Sequence, residues 1–290
     1  PESNQIVAKG FHQSFPGPMK FQANIILPDI MANVLGILDK IAADCFMIMT
    51  PTHWSFRMIT DSTTNDKAFV EFNVSSMFTQ YTIESRSDNE IPLILTTGNL
   101  VRALRSAHGS HQAYIKLDSR NGQVCLCFQI SKDRGEANII QNVPVTLKPA
   151  SSILTDCEPN VDLPQVRMKM PNLRILSRIV DRMKTVDECL KIEANTDGEA
   201  VFSAQNEMAH IRTMYRDLRF KSRSDSSQIM ASVSATCTVS IKNFSKMLNC
   251  HVLDPSVVVG CIAENNWFVV YLELREMIGT VTYYIPLLSD

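Results

Sequence analysis

The sequence predicts an α+β fold: two β-rich domains in tandem, each carrying two helices on the concave face of its sheets. Three observations predict it. Amphipathic helical stretches are interspersed among many short runs of period-two alternation. The order of those elements repeats at a nearly constant offset. Between the copies, Lys148–Pro164 carries three prolines and no periodicity, which reads as an extended linker.

Residues Pro1–Pro18 are aperiodic and open on Pro, so they read as an extension or remnant outside the fold, with Met19 as the natural start. Phe21, Ala23 and Ile25 alternate with polar residues, a half-buried strand. Pro28–Ala43 is an amphipathic helix with Ile30, Val34, Ile37, Leu38 and Ile41 inward. Strands are expected at Cys45–Met49, Ser55–Thr60, Lys67–Val74 and Gln80–Ser85. A second helix, Thr97–Ala107, packs through Leu100, Ala103, Leu104 and Ala107 and turns Arg102 and Arg105 the other way. Strands at Gln112–Asp118, Gly122–Ile130 and Ala137–Leu147 complete the domain that spans 19–147.

The second domain, 165–290, starts the pattern again. Val166–Met170 is a strand, and Pro171–Lys184 a helix with Leu173, Leu176, Ile179, Val180 and Met183 on one side. Pro171 suits the first turn, where its missing N–H leaves nothing unpaired. Strands follow at Cys189–Ala194, Glu199–Gln205 and Ala209–Tyr215, then a polar, Ser-rich loop at Arg219–Gln228. Ser232–Ile241 alternates cleanly, and the helix Ile241–Cys250 buries Phe244, Met247 and Leu248. Strands Val257–Ala263, Trp267–Leu274 and Thr280–Pro286 close the chain. The copies align with Asp44-Cys45-Phe46 facing Glu188-Cys189-Leu190, and Asn99-Leu100-x-Arg102 facing Asn243-Phe244-x-Lys246, both at an offset of 144.

The 290 residues carry a net charge of −2 and a pI near 6.4, so bulk charge does not make this a nucleic-acid binder. Segregated charge does. Arg174, Arg178 and Arg182 recur every fourth residue in an arc roughly 80° wide opposite the apolar side. Arg102 and Arg105, and Lys242 and Lys246, repeat that arrangement on two further helices, whereas the first helix offers only Lys40 beside Asp39. Cationic helices on a concave sheet suit phosphate contact that is salt-sensitive and blind to sequence.

Chemistry is harder to find. No G-x-x-x-x-G-K-[ST], H-E-x-x-H or G-x-S-x-G occurs, so no starting residues for phosphate-loop, zincin or hydrolase catalysis are present. Cys125-x-Cys127 puts two thiols on one strand face without a zinc-spaced partner pair, and the eight cysteines read as reduced. Cys250-His251 is a helix end, Asp197-Gly198 a hairpin turn, and Trp54 and Trp267 strand packing. His108 and His111 flank a turn without an acidic neighbour in sequence. No apolar run reaches the length of a membrane span. No cofactor or metal is expected.

Met19-Lys20-Phe21, Leu95-Thr96-x-x-Asn99-Leu100-x-Arg102-Ala103-Leu104, Leu190-x-Ile192-Glu193-Ala194-Asn195-x-Asp197-Gly198-Glu199 and Tyr284-Ile285-Pro286-x-Leu288-Ser289 resemble the sliding-clamp family, rings built like proliferating-cell nuclear antigen. Within it they are most similar to subunits of the heterotrimeric DNA-damage checkpoint clamp. The resemblance implies a DNA-clamp fold, two other clamp subunits as partners in a ring, duplex DNA in its hole, a clamp loader and repair enzymes, and a nuclear site of action with a cytoplasmic pool. It implies DNA-facing roles for Arg102, Arg105 and Arg178, with Lys246 following by the internal repeat. Arg174, Arg182 and Lys242 extend the same stripes. It also implies edge-strand interfaces at Gly122–Ile130 (Gly122, Val124, Leu126, Phe128) and Glu199–Gln205 (Glu199, Val201, Ser203, Gln205), and a linker lying where clamps receive partner peptides. A homotrimeric replication-type processivity clamp would share every physical argument above. A monomeric module with solvated basic helices shares the basic faces alone.

Overall fold

A computed structural model describes residues 19–59, 66–132, 139–149, 151, 158–159, 164–220, 232–263 and 267–288. The leader, most of the linker and most of the Ser-rich loop lie outside them.

In the first half β1 (Lys20–Ile25) leads into α1 (Pro28–Leu38), then β2 (Asp44–Met49), β3 (His53–Ile59) and β4 (Lys67–Asn73). A single turn, α2 (Val74–Met77), precedes β5 (Phe78–Glu84) and β6 (Ile91–Thr96). After α3 (Thr97–Ser106) come β7 (Gln112–Arg120), β8 (Gln123–Ser131), β9 (Ile139–Pro144) and the short β10 (Thr146–Leu147). The second half runs β11 (Val166–Lys169), α4 (Leu173–Met183), β12 (Cys189–Asn195), β13 (Ala200–Gln205), β14 (His210–Tyr215) and β15 (Ser234–Ser240). Then α5 (Ile241–Leu248) tightens into a 3₁₀ turn (Asn249–Leu253) before β16 (Val257–Ile262), β17 (Trp267–Glu273) and β18 (Gly279–Pro286).

Three expectations change. β6 was not anticipated, because Ile91–Leu95 is an apolar run with no alternation, buried on both faces, and neither was the four-residue turn α2. α1 stops at Leu38 rather than Ala43, since the N–H groups of Lys40 and Ile41 fall back to i−3 carbonyls at 3.2 and 2.8 Å. α4 begins at Leu173: Asn172 caps it by accepting the Ile175 N–H at 3.1 Å, and Pro171 lies outside the helix, one residue ahead of the cap.

Apolar helix faces pack inward in every case: Met31 and Leu35 from α1, Leu100 and Leu104 from α3, Leu176 and Val180 from α4, Phe244 and Met247 from α5. Trp54 is fully buried and donates its indole N–H to the Tyr81 hydroxyl at 3.0 Å, which itself donates to Thr50 O at 2.7 Å. That chain satisfies both polar atoms inside the core.

Among the described residues the strands form three sheets: β5-β1-β7-β8-β9, β14-β13-β12-β15, and a nine-stranded sheet β10-β6-β2-β3-β4-β18-β17-β16-β11. The last joins the halves through antiparallel β4·β18, from Gly279↔Phe72 to Tyr284↔Lys67. The repeat is structural as well as sequential. α1 and α4 are both 11 residues long at an offset of 145, and β10 on β6 is answered by the Val239↔Leu287 bridge on β15. Thr97 N–H bonds to Ala43 O as Ile241 N–H bonds to Glu188 O, so Asp44 corresponds to Cys189, one residue away from the alignment read in the sequence.

Candidate nucleic-acid interface and subunit edges

The helices make one layer, with α3 packed on α1, α1 on the 3₁₀ turn after α5, and α4 on both that turn and α5. All seven basic residues singled out in the sequence lie on helices of this layer, away from the core. Their circumstances differ.

Arg102 is tied to its own helix: its Nε donates to Gly98 O at 3.3 Å and its Nη2 to the Asn99 side chain. The Arg105 guanidinium lies over Gly36 of α1, 3.3 Å from where a Cβ would stand. By contrast, Arg174, Arg178, Arg182 and Lys242 are exposed, and among the described residues their side chains make no hydrogen bond or ion pair. Lys246 is half-buried and close enough to Asp66 to lower that carboxyl's pKa against the burial that raises it. The exposed side of α4 is less uniformly cationic than its arginines alone suggest. Asp181 sits there with Lys184 at 2.8 Å, and Ile175 is 53% exposed beside them. His108 has an acidic partner after all, Asp29 of α1 at 2.7 Å, brought by tertiary packing from 79 residues away.

The expected interface strands are interior. β8 is hydrogen-bonded to β7 on one side and β9 on the other, and β13 to β12 and β14. Val124, Leu126 and Phe128 therefore face the sheet's own core, whereas Val201 and Ser203 lie on the other face of β13 from Ala200, Phe202 and Ala204, buried beside Glu193, Lys191 and Arg212; Gly122 and Glu199 lie in the hairpin turns just before these strands, and Gln205 ends β13. Among the described residues β9 and β14, the neighbours of β8 and β13, each end their sheet instead. Both carry apolar side chains outward: Ile140 is 61% and Met214 47% exposed. Two signals in the sequence pointed there. Pro144 in β9 suits only an edge position or a strand end, and β8 and β13 read as apolar on both faces, as central strands do.

Each open edge also ends a polar account badly. Among the described residues, Gln141 Oε1 on β9 and Tyr215 Oη on β14 are buried without a hydrogen-bond partner. Burial pushes the Tyr215 hydroxyl's pKa up. Cys125 and Cys127 are buried opposite Asp118 and Lys116 of β7, and burial raises the Cys125 thiol's pKa.

Compared with known proteins, the chain matches the family "Hus1-like protein" over residues 19–289. It is 32% identical over 272 residues to a checkpoint protein hus1 homolog from Dictyostelium discoideum, covering 93% of this chain and 99% of that protein. Against checkpoint protein HUS1 of Homo sapiens the identity is 26% over 284 residues, covering 93% and 100%. Among solved structures, it is similar to PCNA from Thermococcus kodakaraensis, with a TM-score of 0.66 and 14% identity over 92% of this chain and 100% of that one. Proliferating cellular nuclear antigen from Entamoeba histolytica gives a TM-score of 0.70 and 9% identity over 93% and 99%. At such identities the likeness is one of fold, and that fold is the sliding clamp.

Proposed function

The chain belongs to the Hus1-like family and is a checkpoint clamp subunit; from that premise we propose that it closes a three-membered ring with two different clamp subunits around duplex DNA. Its clamp domains are residues 19–147 and 165–290, joined by 148–164. One observation carries the proposal. In the repeat, β9 holds the place of β18 and β14 the place of β4, and β4·β18 is the pair that joins the halves. The same join made between neighbouring subunits would add the five-stranded sheet of one to the four-stranded sheet of the next, giving nine strands, as in the sheet within this chain. An exposed edge invites such pairing.

The exposed Ile140 of β9 and Met214 of β14 support this reading, because a neighbour's strand would cover apolar surface that the isolated chain leaves to solvent. The basic helix layer would then line the hole and meet phosphate without reading bases. In this role the protein is a scaffold, loaded by a clamp loader and used by checkpoint and repair factors, acting in the nucleus.

The test is mass. Light scattering of the purified chain alone, and after co-expression with the other two checkpoint-clamp subunits of its source, should show a 1:1:1 complex only in the second case. Self-trimerisation would instead favour a replication-type ring, and a monomer in both would sink the proposal.

A further inference from the structure

We infer that the two halves are not equal partners of DNA: the duplex is held against the second half through α4, and the first half's α1 is a wall that phosphate avoids. This rests on the ring reading above. It comes from comparing equivalent positions of the repeat.

At the 145-residue offset, Arg174 of α4 corresponds to Asp29 of α1, Arg178 to Asn33, and Arg182 to the buried Ile37. The cap residue Lys184 corresponds to Asp39. Every cation of the α4 stripe is thus a carboxylate, an amide or an apolar residue in α1. Counting helix residues with their C-caps, α4 and α5 carry six cations and one carboxylate, net +5, whereas α1 and α3 carry two cations and two carboxylates, net zero. The difference continues beyond the helices. An open groove of about 530 Å³ at the start of α4 is lined by Lys169, Arg174 and His251 as well as Asp254. The groove in the equivalent place beside α1, of about 350 Å³, is lined by Asn24, Pro28 and His111.

Availability sharpens what charge begins. Phosphate binding gains most from cations that need not first break a bond within the protein. Arg102 is already bonded to Gly98 and Asn99, and Arg105 lies against α1. Asp39 lies against the first turn of α3, its Oδ1 3.2 Å from where a Gly98 Cβ would be, so a carboxylate already stands beside the positive end of that helix. Arg174, Arg178 and Arg182 have no such ties, and their i, i+4, i+8 spacing presents three guanidiniums at steps of about 6 Å along one line.

The experiment uses the assembled three-subunit ring and a fluorescent duplex, with affinity read by anisotropy over a salt series. Replacing Arg174, Arg178 and Arg182 together by Ala should flatten the log–log salt slope by about 2.7, three contacts at about 0.9 each. Replacing Arg102 and Arg105 by Ala should change it by less than one contact's worth, about 0.9. Ring assembly by light scattering checks that both variants remain folded. A charge-independent readout accompanies them. A photo-crosslinking residue at the exposed position of Ile175 should label DNA, and one at the exposed Asn33 should not. If the α3 pair costs as much slope as the α4 trio, or if position 33 crosslinks as strongly as 175, the inference is overturned while the ring reading stands. If the wild-type ring shows no salt-dependent binding at all, both fall.

Discussion

A methyl group placed on Gly279 would stand 2.0 Å from the carbonyl oxygen of Glu71. The two residues lie across the β4·β18 join, where Gly279 is paired with Phe72. The obstacle is backbone, so no rotamer change relieves it. Gly279→Ala should therefore destabilise the chain by at least the roughly 1–3 kcal/mol typical of overpacking. Urea denaturation reads it directly, and a midpoint equal to wild type would show that the join tolerates a side chain there.

A second contact across the halves is titratable. Asn243 of α5 donates to Asp66 at 2.9 Å, at the start of β4, and burial raises the Asp66 carboxyl above its ordinary 3.8, against the opposing pull of Lys246 and Asn243. Because the folded pKa exceeds the unfolded one, the native state holds this proton more tightly. The favourable contribution is present below the unfolded value and is lost as pH rises through the folded one. Asp66→Asn should remove that dependence, so its stability relative to wild type should grow as pH climbs from below 3.8 toward neutrality. Thermal melts of both proteins across that range give the difference; a gap that shrinks with rising pH would reverse the sign.

At the open edge, Tyr215→Phe separates the needs of the chain from those of the ring. The Tyr215 hydroxyl is buried and unpartnered in the isolated chain, so deleting it should cost no stability there and relieve part of a desolvation penalty of about 1–3 kcal/mol. If a neighbouring subunit supplies its partner, the same change should weaken ring assembly. Denaturation of the chain alone and titration of the ring test the two halves of the statement. Equal assembly by both proteins would mean that the hydroxyl is not an interface group.

Burial pushes the Cys45, Cys237 and Cys250 thiols up to about 12. At pH 8 they should stay protonated and unreactive toward a thiol reagent until the chain unfolds, since the thiolate is the nucleophile. Mass-resolved labelling of native protein checks each site. Rapid modification of any of the three would mean that its half opens locally.

Because Lys246 stands beside the buried Asp66, its replacement would disturb that carboxyl as well as the basic face, so the charge of α5 is best tested by Lys242→Ala.

Local pattern was enough for the elements whose two sides differ. The apolar and cationic sides of α4, the alternation of β1 and β15 and the repeat itself are all legible in the residues, because periodicity records which side is wet. It was not enough for β6, buried on both faces, nor for the register of the repeat at Asp44, which a single backbone bond to Ala43 decides. For β8 and β13 it carried a signal, apolar residues on both faces, as it did for β9 in Pro144, but not which strands pair, since edge and centre are properties of which strands are neighbours, and β4 and β18 are separated by some 200 residues of chain. Nor could it tell a free arginine from an engaged one. Arg102 and Arg178 look alike in the sequence; only packing bonds the first to Gly98 and Asn99 and leaves the second to solvent. The sequence alone determined the repeat, the helix faces and the family resemblance, all carried by nearby residues. Tertiary structure decided the edges and which charges are free, because those depend on contacts between distant ones.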